Sequence, residues 1–275
     1  MNVPVGSRPP APAGPRPSGG GLRPLARGLA AATRFLTVIP VGRTGEARVG
    51  PGDPGVEPDL QWAAAFFPLV GLLVGAPVAL VLASPLPPLV AAGVALAAWI
   101  AITGGLHEDG WMDVMDAAFA PVERARRLEI LKDPRVGAHG VSGGGALLLV
   151  RFGALAVASP VAVLVAPVVG RWAMAVSLAG VRPAGAGGLA AAFSAHPRAG
   201  GASLVGATVL VALGFWAGWA PVAGAVGAAM LAAFPGGWFL ARRFGGLTGD
   251  GHGAVGHLAE VAALVGFVAV VGGGG

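Results

Sequence analysis

The sequence predicts an all-α fold, a polytopic integral membrane helical bundle of about seven transmembrane helices with a cytoplasmic N-terminus. Hydrophobic residues make up 55% of the 275 residues and charged residues only 11%, whereas a soluble domain carries roughly 25% charge. Apolar segments run through most of the chain after residue 60, and residues 1–24 are rich in Pro, Gly and Arg. We therefore predict a flexible tail over residues 1–24 and one membrane-embedded domain over residues 25–275.

The predicted spans follow from their length and apolar character. A hydrocarbon core about 30 Å thick requires roughly 20 helical residues. The segments that reach or approach this length are 61–83, 87–106, 140–158, 161–181, 202–219, 221–241 and 254–272. Their many Ala and Gly residues predict close helix packing. The stretch Leu25–Val41 is mixed in polarity and predicts an interfacial helix at the lipid headgroups.

The distribution of charge predicts the orientation. With seven spans, one side receives the N-terminal segment and the loops 107–139, 182–201 and 242–253, which together hold 16 of the 18 Lys and Arg residues. By the positive-inside rule this basic side is cytoplasmic. The remaining two, Arg151 and Arg171, lie within spans. An arginine in such a position predicts either a polar partner inside the bundle or a short span that brings the side chain to the membrane interface.

Several classes of chemistry are excluded by what the sequence lacks. The chain has no cysteine, so thiolate nucleophiles and cysteine-ligated metals are excluded. The net charge of +5 comes without a nucleic-acid-binding motif, and we predict no nucleic-acid partner. There is no P-loop, G-x-S-x-G or H-E-x-x-H pattern.

The densest polar cluster follows the second predicted span. Asp109, Asp113 and Asp116 stand at positions i, i+4 and i+7, which form one stripe on a helix. Three carboxylates on one stripe repel each other unless a cation lies between them, and Mg²⁺ takes such oxygen ligands while sharing substrate phosphates. The alternative is a solvated acidic helix face. His107 and Glu108 adjoin the stripe and could support it.

Two further segments carry candidate residues. Lys132 and Arg135 precede a glycine-containing turn and could bind phosphate, or alternatively could face lipid headgroups as a positive-inside loop. Asp250 begins the last span between glycines, where it could complete a metal site or accept a proton. Glu260 is an acid at membrane depth, which is a functional candidate. Together these residues predict chemistry on a diphosphate-linked substrate.

Short pieces in a fixed order, spread over about residues 30–270, make the sequence recognisable. They are Arg34–Pro40 (RFLTVIP), Phe67–Gly71 (FPLVG), Thr103–His107 (TGGLH) leading into Asp109, Asp113 and Asp116, Lys132–Gly137 (KDPRVG) with Gly140, Gly170–Arg171, and Gly249–Asp250 with Gly253, Ala254 and Glu260. The ordered set closely resembles the cobalamin synthase family, whose members are adenosylcobinamide-GDP ribazoletransferases.

The resemblance implies a catalytic domain at the inner membrane, facing the cytoplasm. It would join adenosylcobinamide-GDP to α-ribazole, or to α-ribazole 5′-phosphate, and release GMP. It implies Mg²⁺ as the cofactor and leaves open docking by other corrinoid-assembly enzymes. The roles it implies are metal ligands at Asp109, Asp113 and Asp116, substrate binding at Lys132, Arg135, Arg171 and Glu260, and a general base at Asp250 or, as the weaker candidate, His107.

Other readings of the same residues predict other functions. A CDP-alcohol phosphotransferase would also be a Mg²⁺-dependent membrane enzyme, but its D-x-x-D-G-x-x-A-R motif is not matched after Asp109. An aspartate-rich prenyltransferase requires two acidic clusters, and only one is present. A transporter would suit the Gly-rich, proline-interrupted spans, but the sequence shows no internal repeat.

Overall fold

The fold is helical throughout the parts of the chain that the computed structural model describes, residues 23–41, 57–185 and 199–273. These ranges contain α1 (Arg23–Leu36), α2 (Glu57–Leu82), α3 (Pro88–Thr103), α4 (Leu106–Phe119), α5 (Arg124–Ile130), α6 (Ala138–Leu155), α7 (Ala162–Gly180), α8 (Ala199–Ala217), α9 (Trp219–Phe244) and α10 (Gly249–Gly272). The β-structure within these ranges is one isolated β-bridge between Pro183 and Leu247. The predicted all-α class is confirmed.

Each of the seven predicted spans overlaps a helix, although the bounds differ. Among the described residues, four helices are long and apolar enough to cross a membrane: α2 from Trp62 onward, α7, α9 and α10. The bent pair of α3 and α4 would be a fifth. Glycines and Arg151 lower the hydropathy of α6, and the apolar part of α8 is short. The protein is therefore a multi-pass membrane protein, while the count of seven and the side of the N-terminus stay predictions.

The second predicted span is broken at a pair of glycines. Residues 87–106 were expected to form one helix, but α3 ends at Thr103 because Gly104 and Gly105 have φ of 66° and 69°. This left-handed conformation ends a helix, and residues with a side chain rarely adopt it. The chain then turns, so that α4 runs at 87° to α3. The acidic stripe therefore lies on a helix of its own.

Small residues allow the helices to pack closely, as predicted. A Cβ atom at Gly170 of α7 would lie only 2.7 Å from the Glu260 Cβ of α10. One at Gly224 of α9 would lie 3.0 Å from the Gly266 carbonyl oxygen of α10. Helices at such contacts approach almost backbone to backbone, which is how membrane helices gain packing energy without a hydrophobic driving force between them.

The predicted interfacial segment Leu25–Val41 overlaps α1, which packs its Ala31, Ala32 and Leu36 face into the bundle. Its place at the lipid headgroups stays a prediction. Its backbone approaches α2, because a Cβ atom at Gly28 would meet the Trp62 side chain. The predicted tail 1–24 lies outside the described residues except for its last two, which begin the helix.

Hydrogen bonds gather the charged connections at one end of the bundle. Arg243 of α9 donates to the carbonyl of Ala118 in α4 at 2.8 Å, and Arg124 of α5 donates to the carbonyl of Phe244 at 2.6 Å. The segment after α7 pairs with the turn before α10, where the Leu247 N–H donates to the Arg182 carbonyl at 3.0 Å. The ends of α4, α7 and α9 therefore meet the start of α10, and this end carries the candidate site.

Candidate active site

The acidic stripe forms one face of α4, as the spacing predicted. Asp109 is exposed, and Asp113 and Asp116 are half-buried. The charges of Asp109, Asp116 and Asp250 all act on the Asp113 carboxylate. Four carboxylates therefore share one region at the charged end of the bundle.

A close approach between two backbones brings Asp250 to this stripe. A Cβ atom at Gly110 would lie 3.4 Å from the Asp250 Cα, so α4 and the start of α10 are in van der Waals contact there. The Thr248 hydroxyl accepts a hydrogen bond from the Gly251 N–H at 3.1 Å and caps α10. Asp250 thus lies in the first turn of α10, where the helix dipole stabilises a carboxylate.

Asp116 has a contact that the sequence did not predict. Its Oδ2 accepts from the Gly137 N–H at 2.6 Å, and its Oδ1 accepts from the Gly140 N–H at 2.8 Å. These N–H groups belong to the start of α6, which otherwise has no side-chain cap. The glycine turn that was expected to approach phosphate therefore already binds a carboxylate of the protein itself.

The predicted phosphate-binding pair lies on the surface between α5 and α6. Lys132 is exposed. The Arg135 guanidinium donates to both oxygens of Asp133, at 2.9 and 2.8 Å. These hydrogen bonds lower the pKa of the Asp133 carboxyl to about 2. Because the Arg135 side chain is 86% exposed, the pair is solvated, and an incoming anion could compete with Asp133 for the guanidinium.

The two arginines within predicted spans are buried and paired. Arg151 of α6 donates to Glu108 of α4 at 2.8 Å and to Glu260 of α10 at 2.7 Å. Arg171 of α7 forms an ion pair with Glu260. Two positive and two negative side chains therefore balance inside the bundle. Both arginines have a polar partner inside the bundle, which was one of the two predicted alternatives. The predicted substrate-binding roles of Arg171 and Glu260 stay predictions.

Three histidines of the described residues, His107, His252 and His257, are more buried than the acidic stripe. His107 and His257 are both buried, with ring centroids 6.4 Å apart. His257 Nδ1 lies 3.8 Å from Glu260 Oε1. His252 is also buried, and its Nδ1 lies 2.8 Å from the Ser177 hydroxyl. His107 is therefore less open to a substrate than Asp250, although its predicted role as a base stays a prediction.

The carboxylate oxygens at this end of the bundle are ligands of the kind that Mg²⁺ takes, and its binding here stays a prediction. Within the described ranges, no group of three or more His, Asp and Glu side chains is arranged to hold a metal by itself. Mg²⁺ does not require one, because it is commonly bound by one or two carboxylates together with waters and substrate phosphates. Accessible carboxylates at Asp109 and Asp113, beside Asp250, supply that number.

Besides the Asp116 contact, sequence reasoning missed two further features of the site. Glu108 was considered only as a neighbour of the acidic stripe, yet its buried carboxylate holds Arg151. The backbone contact between Gly110 and Asp250 was not foreseen. A signal existed for Glu108, since an acid at a membrane boundary requires a partner, but the sequence does not say which arginine provides it.

The comparison with known proteins identifies the family of the chain. A family model described as Cobalamin-5-phosphate synthase matches residues 28–268. The chain belongs to the cobalamin-5-phosphate synthase family. The match covers every described candidate residue, from His107 to Glu260, so the acidic stripe and the paired arginines all lie within the family domain. No solved structure matches the chain significantly.

Named relatives of the family cover most of the chain. The adenosylcobinamide-GDP ribazoletransferase of Roseiflexus sp. (strain RS-1) is 35% identical over 250 residues, covering 85% of this chain and 86% of that protein. The protein of the same name from Pseudomonas savastanoi pv. phaseolicola (strain 1448A / Race 6) is 36% identical over 245 residues, covering 85% and 96%. Another, from Deinococcus radiodurans, is 35% identical over 241 residues, covering 86% and 84%.

Proposed function

We propose that this protein is an adenosylcobinamide-GDP ribazoletransferase of the cytoplasmic (inner) membrane that acts late in cobalamin assembly. The observation that carries the proposal is the family match over residues 28–268, joined to the carboxylates that meet within that domain. The reaction joins adenosylcobinamide-GDP to α-ribazole or its 5′-phosphate and gives adenosylcobalamin, or its 5′-phosphate, and GMP. The relatives' names favour this reaction over a CDP-alcohol phosphotransferase or a transporter.

The residues at the charged end suit phosphoryl transfer, in which positioning and charge neutralisation provide most of the catalysis. Asp250 takes the proton of the attacking ribazole hydroxyl as that oxygen bonds to the phosphorus attached to cobinamide. The bond from this phosphorus to the GMP oxygen breaks, and GMP leaves. Lys132 and Arg135 neutralise phosphate oxygens, with Arg135 exchanging Asp133 for the substrate.

Mg²⁺ would be held by Asp109 and Asp113, and when bound it supplies positive charge to the diphosphate. Both oxygens of Asp116 already accept hydrogen bonds from the start of α6. Asp116 would therefore bind the metal with the lone pairs that these bonds leave free. The burial of Arg171 and Glu260 favours support of α10 over direct contact with the substrate. His107 is the alternative base.

The reaction is tested by GMP release from purified protein in liposomes. The substrates are adenosylcobinamide-GDP and α-ribazole 5′-phosphate, with Mg²⁺ or with EDTA. We expect a corrinoid product only with Mg²⁺ and its loss in Asp113→Asn. Glu129→Gln is the matched control, since it removes an exposed acid of α5 whose side chain forms an ion pair with its neighbour Arg126. Folded protein that yields no product would refute the proposal and direct the assay to CDP-activated substrates.

The orientation is tested separately in the natural cysteine-free background. Val136→Cys lies in the exposed connection before α6, and Leu86→Cys in the exposed connection between α2 and α3. A membrane-impermeant thiol reagent added to intact cells should label only Leu86→Cys. Labelling of Val136→Cys alone would place the active site on the outer side.

A further inference from the structure

One buried side chain joins the two helices that carry the acidic residues. Arg151 of α6 is 1% exposed. Its Nη1 donates to Glu108 of α4, which directly precedes Asp109, and its Nη2 donates to Glu260 of α10, the helix that begins with Asp250. The guanidinium carbon also lies 3.9 Å from the centre of the Trp99 ring of α3. Arg151 therefore contacts α3, α4 and α10 from a single position.

We propose that Arg151 is a positioning residue that fixes the acidic stripe of α4 relative to Asp250 of α10. The inference rests on the proposed function only in assigning chemistry to those acids; the link between the helices is independent of it. Arginine suits the role because its planar fork presents two donors in fixed directions, here one to each carboxylate. Neither Glu108 nor Glu260 needs to touch the substrate for this to matter.

The break between α3 and α4 explains why such a link is required. The chain changes direction by 87° at Gly104 and Gly105, and two glycines impose little on the angle between the helices they join. The orientation of α4 must therefore come from tertiary contacts. Gly110 packs against Asp250, and Trp111 donates to the Gly143 carbonyl at 3.0 Å. Arg151 adds a directional, charge-assisted constraint at the start of α4.

A second observation shows that the bridge is specific rather than a simple neutralisation of charge. Arg171 also pairs with Glu260, so one arginine and one glutamate would remain balanced without Arg151 and Glu108. The second pair adds two charges to the interior of a membrane protein, where burying an ion costs several kcal/mol before its partner offsets the cost. The feature that this pair adds is a connection from α4 to α10.

The test uses a variant that removes the bridge while preserving charge balance. Arg151→Met alone leaves Glu108 without its partner and is expected to fold poorly. The double variant Arg151→Met with Glu108→Gln is neutral at both positions and leaves the pair of Arg171 and Glu260 in place. The matched control is the same pair of changes at the exposed ion pair on α5, Arg126→Met with Glu129→Gln.

The first readout is a distance, measured without substrate or metal. Spin labels on Leu106→Cys and Gly249→Cys report the separation of the starts of α4 and α10, since Leu106 is exposed and the space around Gly249 is open. We expect the double variant to unfold at a temperature near that of the wild type but to show a broader or shifted distance distribution. The control variant should match the wild type.

The second readout separates positioning from stability. In the double variant we expect kcat to fall about a hundredfold, the size of effect that a displacement of about 1 Å produces. The KM for adenosylcobinamide-GDP should stay unchanged, because Lys132 and Arg135 lie in the exposed connection before α6 whereas the bridge is buried. A double variant with the wild-type distance distribution and the wild-type kcat would overturn the proposal. Absence of GMP release from the wild type would refute the proposed function and leave the distance result standing.

Discussion

Replacing Asp116 by Asn separates the two roles that one carboxylate has at the junction of α4 and α6. As a metal ligand, Asp116 would affect stability only when Mg²⁺ is present. As the cap of α6, it must affect stability in EDTA, because both oxygens accept backbone hydrogen bonds from Gly137 and Gly140. An Asn side chain keeps one acceptor oxygen and turns its NH₂ group toward the second N–H donor.

The expected loss follows from those two bonds. At least one charge-assisted hydrogen bond is removed, and such bonds contribute about 1.5–3 kcal/mol each. The half-buried position reduces this toward the lower part of the range, so we expect a loss of about 2 kcal/mol in the free energy of unfolding. For a chain of this size this corresponds to a decrease in Tm of about 3–4 °C.

Asp113→Asn provides the opposite expectation under the same conditions. The neighbouring carboxylates of Asp109, Asp116 and Asp250 repel Asp113, so its neutralisation should raise Tm in EDTA. Thermal unfolding of both variants in detergent, with EDTA and then with Mg²⁺, provides the measurement. An unchanged Tm for Asp116→Asn in EDTA would show that the carboxylate does not cap α6, and would refute the reasoning.

Three further predictions concern contacts between helices. Gly170→Ala inserts a methyl group into the backbone contact of α7 with α10, and should lower the free energy of unfolding by about 1–3 kcal/mol, measured by thermal unfolding. Arg243→Ala removes a charge-assisted hydrogen bond to the Ala118 carbonyl at the end of α4 and should lower the free energy of unfolding by about 2 kcal/mol in the same measurement. Arg242→Ala removes a contact with Trp238 at the surface and should lower it by less. Gly110→Ala should keep GMP release because its Cβ would make only ordinary contact with Asp250, while Gly110→Leu should abolish release by separating the helices.

Each of these predictions has an outcome that contradicts it. A wild-type Tm for Gly170→Ala would mean that α7 and α10 can separate at no cost. Equal losses for the two arginine variants would mean that the hydrogen bond to α4 contributes nothing specific. Full activity in Gly110→Leu would mean that Asp250 does not act together with the residues of α4.

The helices and the acidic stripe could be predicted because they depend on residues close together in the sequence. Apolar length determines the spans, and the i, i+4, i+7 spacing places Asp109, Asp113 and Asp116 on one face whichever neighbours α4 has. The contact of Asp250 with that face could be expected because Asp250 was a candidate to complete a metal site or to accept a proton. Its cause, the missing side chain at Gly110, became visible only in three dimensions.

The partners of charged groups could not be predicted for the same reason. Arg151 and Glu260 are separated by more than a hundred residues, and no local pattern connects them. The break in the second span had a local signal in Gly104 and Gly105, but glycine pairs also occur inside membrane helices, where they serve packing. The glycine turn before α6 was expected to meet an external anion. It meets Asp116 because an internal carboxylate satisfies the same N–H groups.

The position of Glu260 in the last helix affects how the chain can be assembled. Synthesis proceeds from the N-terminus, so α6 and α7 enter the membrane with Arg151 and Arg171 before α10 exists. At that stage Glu108 is the single carboxylate of the buried ionic group that is available to them. Insertion of the C-terminal helix therefore completes the neutral interior, and a nascent chain that stops before α10 retains an excess positive charge between its helices.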